Sequence, residues 1–91
     1  MLYLGDRVVV LRPSFAALVA AEGEVGPLFA LVERTAEGRL ALGEMVALFW
    51  HCLKVPFHGS REEFGEAVAA AGLAAATPAL KGLIGQILAG R

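Results

Sequence analysis

Two histidines and the only cysteine crowd into one short stretch, His51, Cys52 and His58. Thiolate and imidazole are the usual ligands of zinc, and a thiol beside an imidazole is also the starting point for a cysteine nucleophile. Neither chemistry is completed by the rest of the chain. A structural zinc takes four ligands, usually from two separated pairs, and there is no second pair. His51 and Cys52, adjacent on a helix, would point about 100° apart. Nucleophilic catalysis needs oxyanion donors and a carboxylate that orients the base, and the sequence marks neither. The expected reading is a buried cysteine acting as a small hydrophobe between two surface imidazoles. No metal, no cofactor and no small-molecule substrate is expected, and the chain is read as not an enzyme.

The acidic residues Glu62, Glu63 and Glu66 lie together near the start of a helical segment. Carboxylates there complement the positive end of the helix dipole, which accounts for them without acid–base chemistry. Gly5, Gly23, Gly26 and Gly59 fit neither phosphate-cradling pattern, G-x-x-x-x-G-K-[ST] or G-x-G-x-x-G, and read as turn residues.

The elements that carry these residues are short. Leu2-Tyr3-Leu4 and Arg7 to Arg12 predict two strands around a tight turn at Gly5-Asp6. Val8, Val9 and Val10 are β-branched and favour the pleated state. Alternation puts Val8, Val10 and Arg12 on one face and Val9 and Leu11 on the other. Two strands alone are marginal in water, so one face must lie on helices or pair with a further strand, from this chain or a neighbouring subunit.

After the hairpin the sequence turns helical. Pro13 and Ser14 start a first helix whose stripe is Phe15, Leu18 and Val19, with Gly23 and Gly26 ending it. Pro27 opens a second, with Leu28, Leu31 and Val32, that ends near Glu37-Gly38. The third begins near Gly43 and repeats apolar residues at Met45, Leu48, Phe49, Cys52 and Leu53, widened by Val46 and Trp50, until Pro56 stops it. This is the expected central helix. Ser60 to Glu63 has the form of a capping box, and the helix behind it carries Phe64, Ala67, Val68 and Ala71 before Gly72. Thr77-Pro78 is expected to begin a last helix with the aliphatic stripe Leu80, Leu83, Ile84, Ile87 and Leu88.

The fold class is therefore α+β and mostly helical: a short N-terminal antiparallel β-hairpin (1–12) packed on four to five short helices (13–91), in a single domain (1–91). The expected core is Phe15, Leu18, Leu31, Leu48, Phe49 and Leu53.

Composition sharpens the functional reading. Hydrophobic residues make up 57% of the 91 positions, above the ~45–50% of ordinary soluble domains. A chain this short buries only about two-thirds of the surface it exposes when unfolded. Exposed apolar surface intended for another chain follows. Eight basic and nine acidic residues give a net charge of −1 without clusters, which speaks against nucleic acid. The apolar runs are too short or too interrupted to span a bilayer, no secretory signal opens the chain, and a lone cysteine fits a reducing compartment, so a cytoplasmic protein with no membrane partner is expected.

The order of these elements carries a resemblance. Leu11, Arg12, Pro13, Ser14, Phe15, Ala17 and Leu18 follow a short hairpin, with Glu22 and Gly26 beyond, then the third-helix pattern up to Leu53, and an acidic fourth helix ending at Gly72-Leu73. Over nearly its whole length the chain resembles the small tail proteins of gene transfer agents and tailed phages, of the tail-assembly-chaperone-like group. The resemblance implies a non-enzymatic role in tail assembly, with tape-measure or tail-tube components as partners. A tape-measure chain is long, helical and apolar and must stay soluble until tube subunits polymerise around it, so its binder needs hydrophobic grooves. The candidate partner-binding residues are Val46 and Trp50 on the third helix and Leu80, Leu83, Ile84, Ile87 and Leu88 on the last. A homo-oligomer is expected. The alternative is a structural tail protein retained in the phage-like particle, using the Val8 to Leu11 strand to augment a neighbour's sheet.

Overall fold

The computed structural model describes residues 2–4 and 7–89. Two strands, β1 (Leu2–Leu4) and β2 (Arg7–Val9), precede five helices: α1 (Phe15–Val25), α2 (Leu28–Ala36), α3 (Leu42–His51), α4 (Arg61–Ala71) and α5 (Leu73–Ala89). The strands pair antiparallel with Leu2 opposite Val9, Tyr3 opposite Val8 and Leu4 opposite Arg7. The expected α+β, mostly helical class is therefore what the chain adopts. The predicted turn at Gly5-Asp6 lies outside the described residues.

The second strand is shorter than expected, because the chain leaves β1 after Val9 and finds a different partner. The Arg12 N–H donates to the Cys52 carbonyl at 2.6 Å, and the Lys54 N–H donates to Val10 at 3.0 Å, around a bridge between Leu11 and Leu53. The further strand that the hairpin requires comes from this chain, immediately after α3. The predicted alternation holds: Val8, Val10 and Arg12 are exposed, while Val9 and Leu11 pack toward the core.

Capping follows the sequence closely. Ser14 accepts from the Ala17 N–H at 3.2 Å, and Ser60 and Glu63 exchange bonds of 3.1 and 3.0 Å. Each satisfies amides that a helix start leaves unpaired. No side chain of its own caps α2; the Glu22 carboxylate reaches across from α1 to the Leu28 N–H at 3.0 Å. Two sharp corners separate the helices, 75° between α1 and α2 and 111° between α4 and α5. Gly26 (φ 88°) and Gly72 (φ 94°) stand at them in a backbone region that side chains with a Cβ disfavour.

The last helix begins earlier than Thr77-Pro78. It starts at Leu73 and runs through Pro78. Ala74, Ala75 and Ala76 are strong helix formers, and only one intrahelical bond is lost at a proline this close to the helix start. The Thr77 hydroxyl, expected as an N-cap, instead donates back to the Leu73 carbonyl at 2.8 Å.

One contiguous core joins all elements, with Leu2, Leu31, Leu48, Phe49, Cys52, Phe64, Val68 and Leu83 among its buried members. Of the expected core, Leu31, Leu48 and Phe49 are fully buried, and Leu18 and Leu53 are half-buried. Phe15 is a correction: it is 84% exposed. The buried face of α1 is formed by Ala21, flanked by Ala17, Leu18 and Val25. Small side chains there let α1 lie close against α3, and Phe15, in the first turn, falls off that face. Truncating Phe49 to Ala should therefore cost roughly 3–5 kcal/mol. Phe15→Ala should change stability by no more than about 0.5 kcal/mol. Paired denaturant titrations read both, and equal losses would refute this assignment of the core.

Candidate partner-binding surfaces

The seven predicted partner residues do not share one environment. Leu83 and Val46 are buried, at 2% and 9% exposure. Trp50, Leu80, Ile84 and Ile87 are half-buried against the core, and Leu88 alone stands out, 63% exposed. Trp50 packs on Phe64 with ring centroids 5.6 Å apart, and Phe57 meets Phe64 edge-on at 5.2 Å. Val46 lies under α4, where its Cγ1 is 3.5 Å from the position a Cβ on Gly65 would take. Much of the α5 stripe thus faces inward, since five helices around one small core need its aliphatic groups.

The exposed apolar groups gather around grooves that α5 and the hairpin help to form. Leu28, Phe29, Val32, Ile87 and Leu88 line an opening of about 230 Å³ between α2 and the end of α5, with Glu22 at its rim. Phe29 is 82% exposed. A second groove of about 320 Å³ runs between the start of α3 and the start of α5, over Leu40, Leu42, Met45, Leu73 and Leu80. A third, about 490 Å³, lies between β2 and the segment from Leu53 to His58. Sequence reasoning missed Phe29, because it sits one position past Leu28 and off the stripe that spacing picked out. An apolar residue on the polar side of a helix was the available signal.

Polar chemistry is concentrated elsewhere, at a junction of three helices. The Glu24 carboxylate, at the end of α1, accepts from Arg61 Nη1 at 2.7 Å and also bonds Nη2 of that guanidinium. The Nε2 of His51 lies 2.8 Å from the Glu24 Oε1. The paired guanidinium, and then the imidazole, lower the Glu24 pKa to about 2. A second ion pair, Arg34 with Glu44, joins α2 to α3, and Glu44 also accepts from the Ala41 N–H at 3.1 Å.

The three residues that could have formed a reactive cluster are separated in role. His51 is held by Glu24, His58 is exposed, and Cys52 is buried at the end of α3. Burial raises the Cys52 pKa to about 11, which keeps the thiol protonated and a poor nucleophile. No group of three His, Cys, Asp or Glu side chains among the described residues is placed to hold a metal ion.

The described residues thus present small apolar grooves on a helical scaffold, with the Cys52 thiol buried away from them. The family described as "Phage tail tube protein, GTA-gp10" matches residues 1–90. The chain belongs to this family of phage and gene-transfer-agent tail proteins. Comparison with curated proteins and with solved structures gives no significant match. Membership in a tail family makes the grooves candidates for contact with other tail components, and it bears out the resemblance to tail proteins of phages and gene transfer agents, though not its narrower tail-assembly-chaperone-like part.

The Glu24 junction gives this tail protein a defined acid sensitivity. Because its folded pKa lies below the usual 4.5, the folded state binds fewer protons than the unfolded one as pH falls between these values. The stabilisation is complete above about pH 5 and is lost progressively toward pH 2. Bonds from Ser60 lower the Glu63 pKa, which adds in the same direction. Glu24→Gln should flatten the stability–pH curve between about pH 5 and pH 2, leaving the smaller Glu63 contribution. Chemical denaturation of both proteins across that range measures it; an unchanged slope in the variant would remove the junction from the account.

Proposed function

We propose that this tail protein acts during tail assembly, holding an apolar helical segment of another tail component, such as the tape-measure chain, until the tube forms around it. The observation that carries this reading is the pair Phe29 and Leu88, 82% and 63% exposed on either side of an apolar groove. An amphipathic helix laid into such a groove buries its own apolar face against these two anchors. The groove beside Leu80 offers a second stretch of the same chemistry along α5. Residues 1–91 work as one unit, in the cytoplasm where tails are built, and self-association through the same apolar surface accounts for how the protein stays soluble before its partner arrives.

The family's description as tail tube proteins favours a second reading, a structural protein retained in the particle and joined through its strand edge.

Two measurements separate the readings. Co-expression should raise the soluble fraction of a tape-measure fragment, and Phe29→Asp should abolish the effect while leaving the melting temperature within a few degrees, since the side chain is exposed. A fragment equally insoluble with and without the protein would defeat the assembly role. Mass spectrometry of purified particles should find the chain scarce; abundance matching the tube subunit would establish the second reading instead.

A further inference from the structure

One helix carries more apolar surface than its neighbours cover. Every residue of α1 from Phe15 to Ala21 is apolar, and its principal contacts, with α3 and α2, cover only the side of Ala17, Leu18, Ala21 and Val25. A helix at the edge of a domain ordinarily turns a polar side to water. The outer side of α1 shows Phe15, Ala16, Val19, Ala20 and Gly23, all exposed, with Phe15 at 84% and Val19 at 50%. None of these five lines the groove at Phe29. Gly23 is the least expected of them. It lies inside the helix, where glycine is a poorer choice than alanine, and it has no positive φ. A Cβ placed on it would meet nothing within 4 Å among the described residues. The fold of a single copy does not call for glycine there, whereas a close contact from outside would.

We propose that this face of α1 packs antiparallel on the same face of a second copy, about a two-fold axis at Val19. Phe15, four residues before the axis, then falls opposite Gly23 of the other copy, four residues after it, so the bulkiest side chain meets the position that has none. Ala16 and Ala20 let the two backbones approach closely between these ends. Charge selects the same direction. The first turn of α1 has no acidic residue, and Glu22 and Glu24 stand at its end. Antiparallel packing lays that acidic end beside the positive first turn of the other copy, while a parallel pair would bring four carboxylates together. A lipid surface fits less well, because helices that lie on membranes carry Lys and Arg on their polar side, and the chain has neither between Arg12 and Arg34. The 11 residues of α1 span about 16 Å. That is short for a standard interface, so the pair is one that dissociates readily. This contact is separate from self-association through the groove at Phe29, and each can fail alone.

Single cysteines report the pairing on the full chain, since Cys52 is buried and its thiol protonated. Under a mild oxidant Val19→Cys, on the axis, should form cross-linked dimer about tenfold or more faster than Ala16→Cys, whose two copies stand about 9 Å apart along the helices, beyond the reach of a disulfide. Sedimentation equilibrium should show the wild type passing from monomer to dimer, and Gly23→Leu should weaken that step by about tenfold, the scale of one overfilled contact. Its melting temperature in dilute solution should not fall, because the added side chain meets open space within one copy. Phe29→Asp should leave the Val19→Cys cross-link unchanged. Cross-linking that persists where a tape-measure fragment is not solubilised would defeat the assembly role alone; solubilisation without the cross-link would defeat this inference alone. A wild type still monomeric at about 1 mM, or equal rates for Val19→Cys and Ala16→Cys, would overturn the assignment. So would suppression of the cross-link by a co-expressed tape-measure fragment or by phosphatidylglycerol vesicles, since that occupant would then hold the face.

Discussion

Everything in this molecule is arranged around one helix that is enclosed on every side. Met45, Val46, Ala47, Leu48 and Phe49 are consecutive and all buried. Successive helical residues step by about 100°, so five of them point all the way round the axis. A surface helix shows a single apolar stripe; α3 has no polar side left along this stretch. Its neighbours have to cover it completely, and that requirement fixes where α1 and α4 can lie. The backbone contributes as well, since the strand that follows β2 is anchored to Cys52 and Lys54, directly beyond the end of α3.

Enclosing a central helix in so short a chain leaves little material for an outer layer. Each surrounding helix turns one face inward and has no second shell of protein over its other side. The consequence is visible in area: the molecule exposes 5557 Å², where a folded chain of 9.5 kDa is expected to expose about 5,000 Å². Large apolar side chains account for part of that surface, including Phe15, Phe29, Val55 and Leu88. The apolar excess read from composition is thus divided, with the α5 stripe drawn mostly into the core and other residues left outside.

How much of this was legible in the sequence depended on the scale of the signal. Periodicity identified each helix, and the S-x-x-E pattern at Ser60 and the Ser14 cap correspond to bonds that form. The phase of a helix was harder to read than its existence. On α1 the spacing suggested a face of Phe15, Leu18 and Val19, of which only Leu18 packs on the core, beside Ala17 and Ala21, because closeness of approach to α3 outweighs side-chain volume. On α5, proline suggested a boundary that the preceding alanines override. The opening beside Val8 could not be foreseen locally, since it arises from a register between residues more than forty positions apart.

Polar groups are distributed so that the exposed apolar surfaces stay free of competing charge. Arg61 neutralises Glu24, which also bonds His51, where α1, α3 and α4 meet, and Arg34 does the same for Glu44 between α2 and α3. Exposed pairs of this kind add little net stability, but they fix the relative placement of helices whose apolar contacts are not directional. At the groove beside Phe29 the one acidic group, Glu22, already accepts from the Leu28 N–H, so a helix lying there would not have to desolvate a free carboxylate. Beside β2 the charged lining residues among those described are Arg7 and Lys54, and Arg7 also borders Glu63 and Glu66 on an adjoining surface. The exposed apolar residues are thus spread over separate small grooves, one beside Phe29 whose only charged lining residue is already hydrogen-bonded, and one beside β2 lined by Arg7 and Lys54.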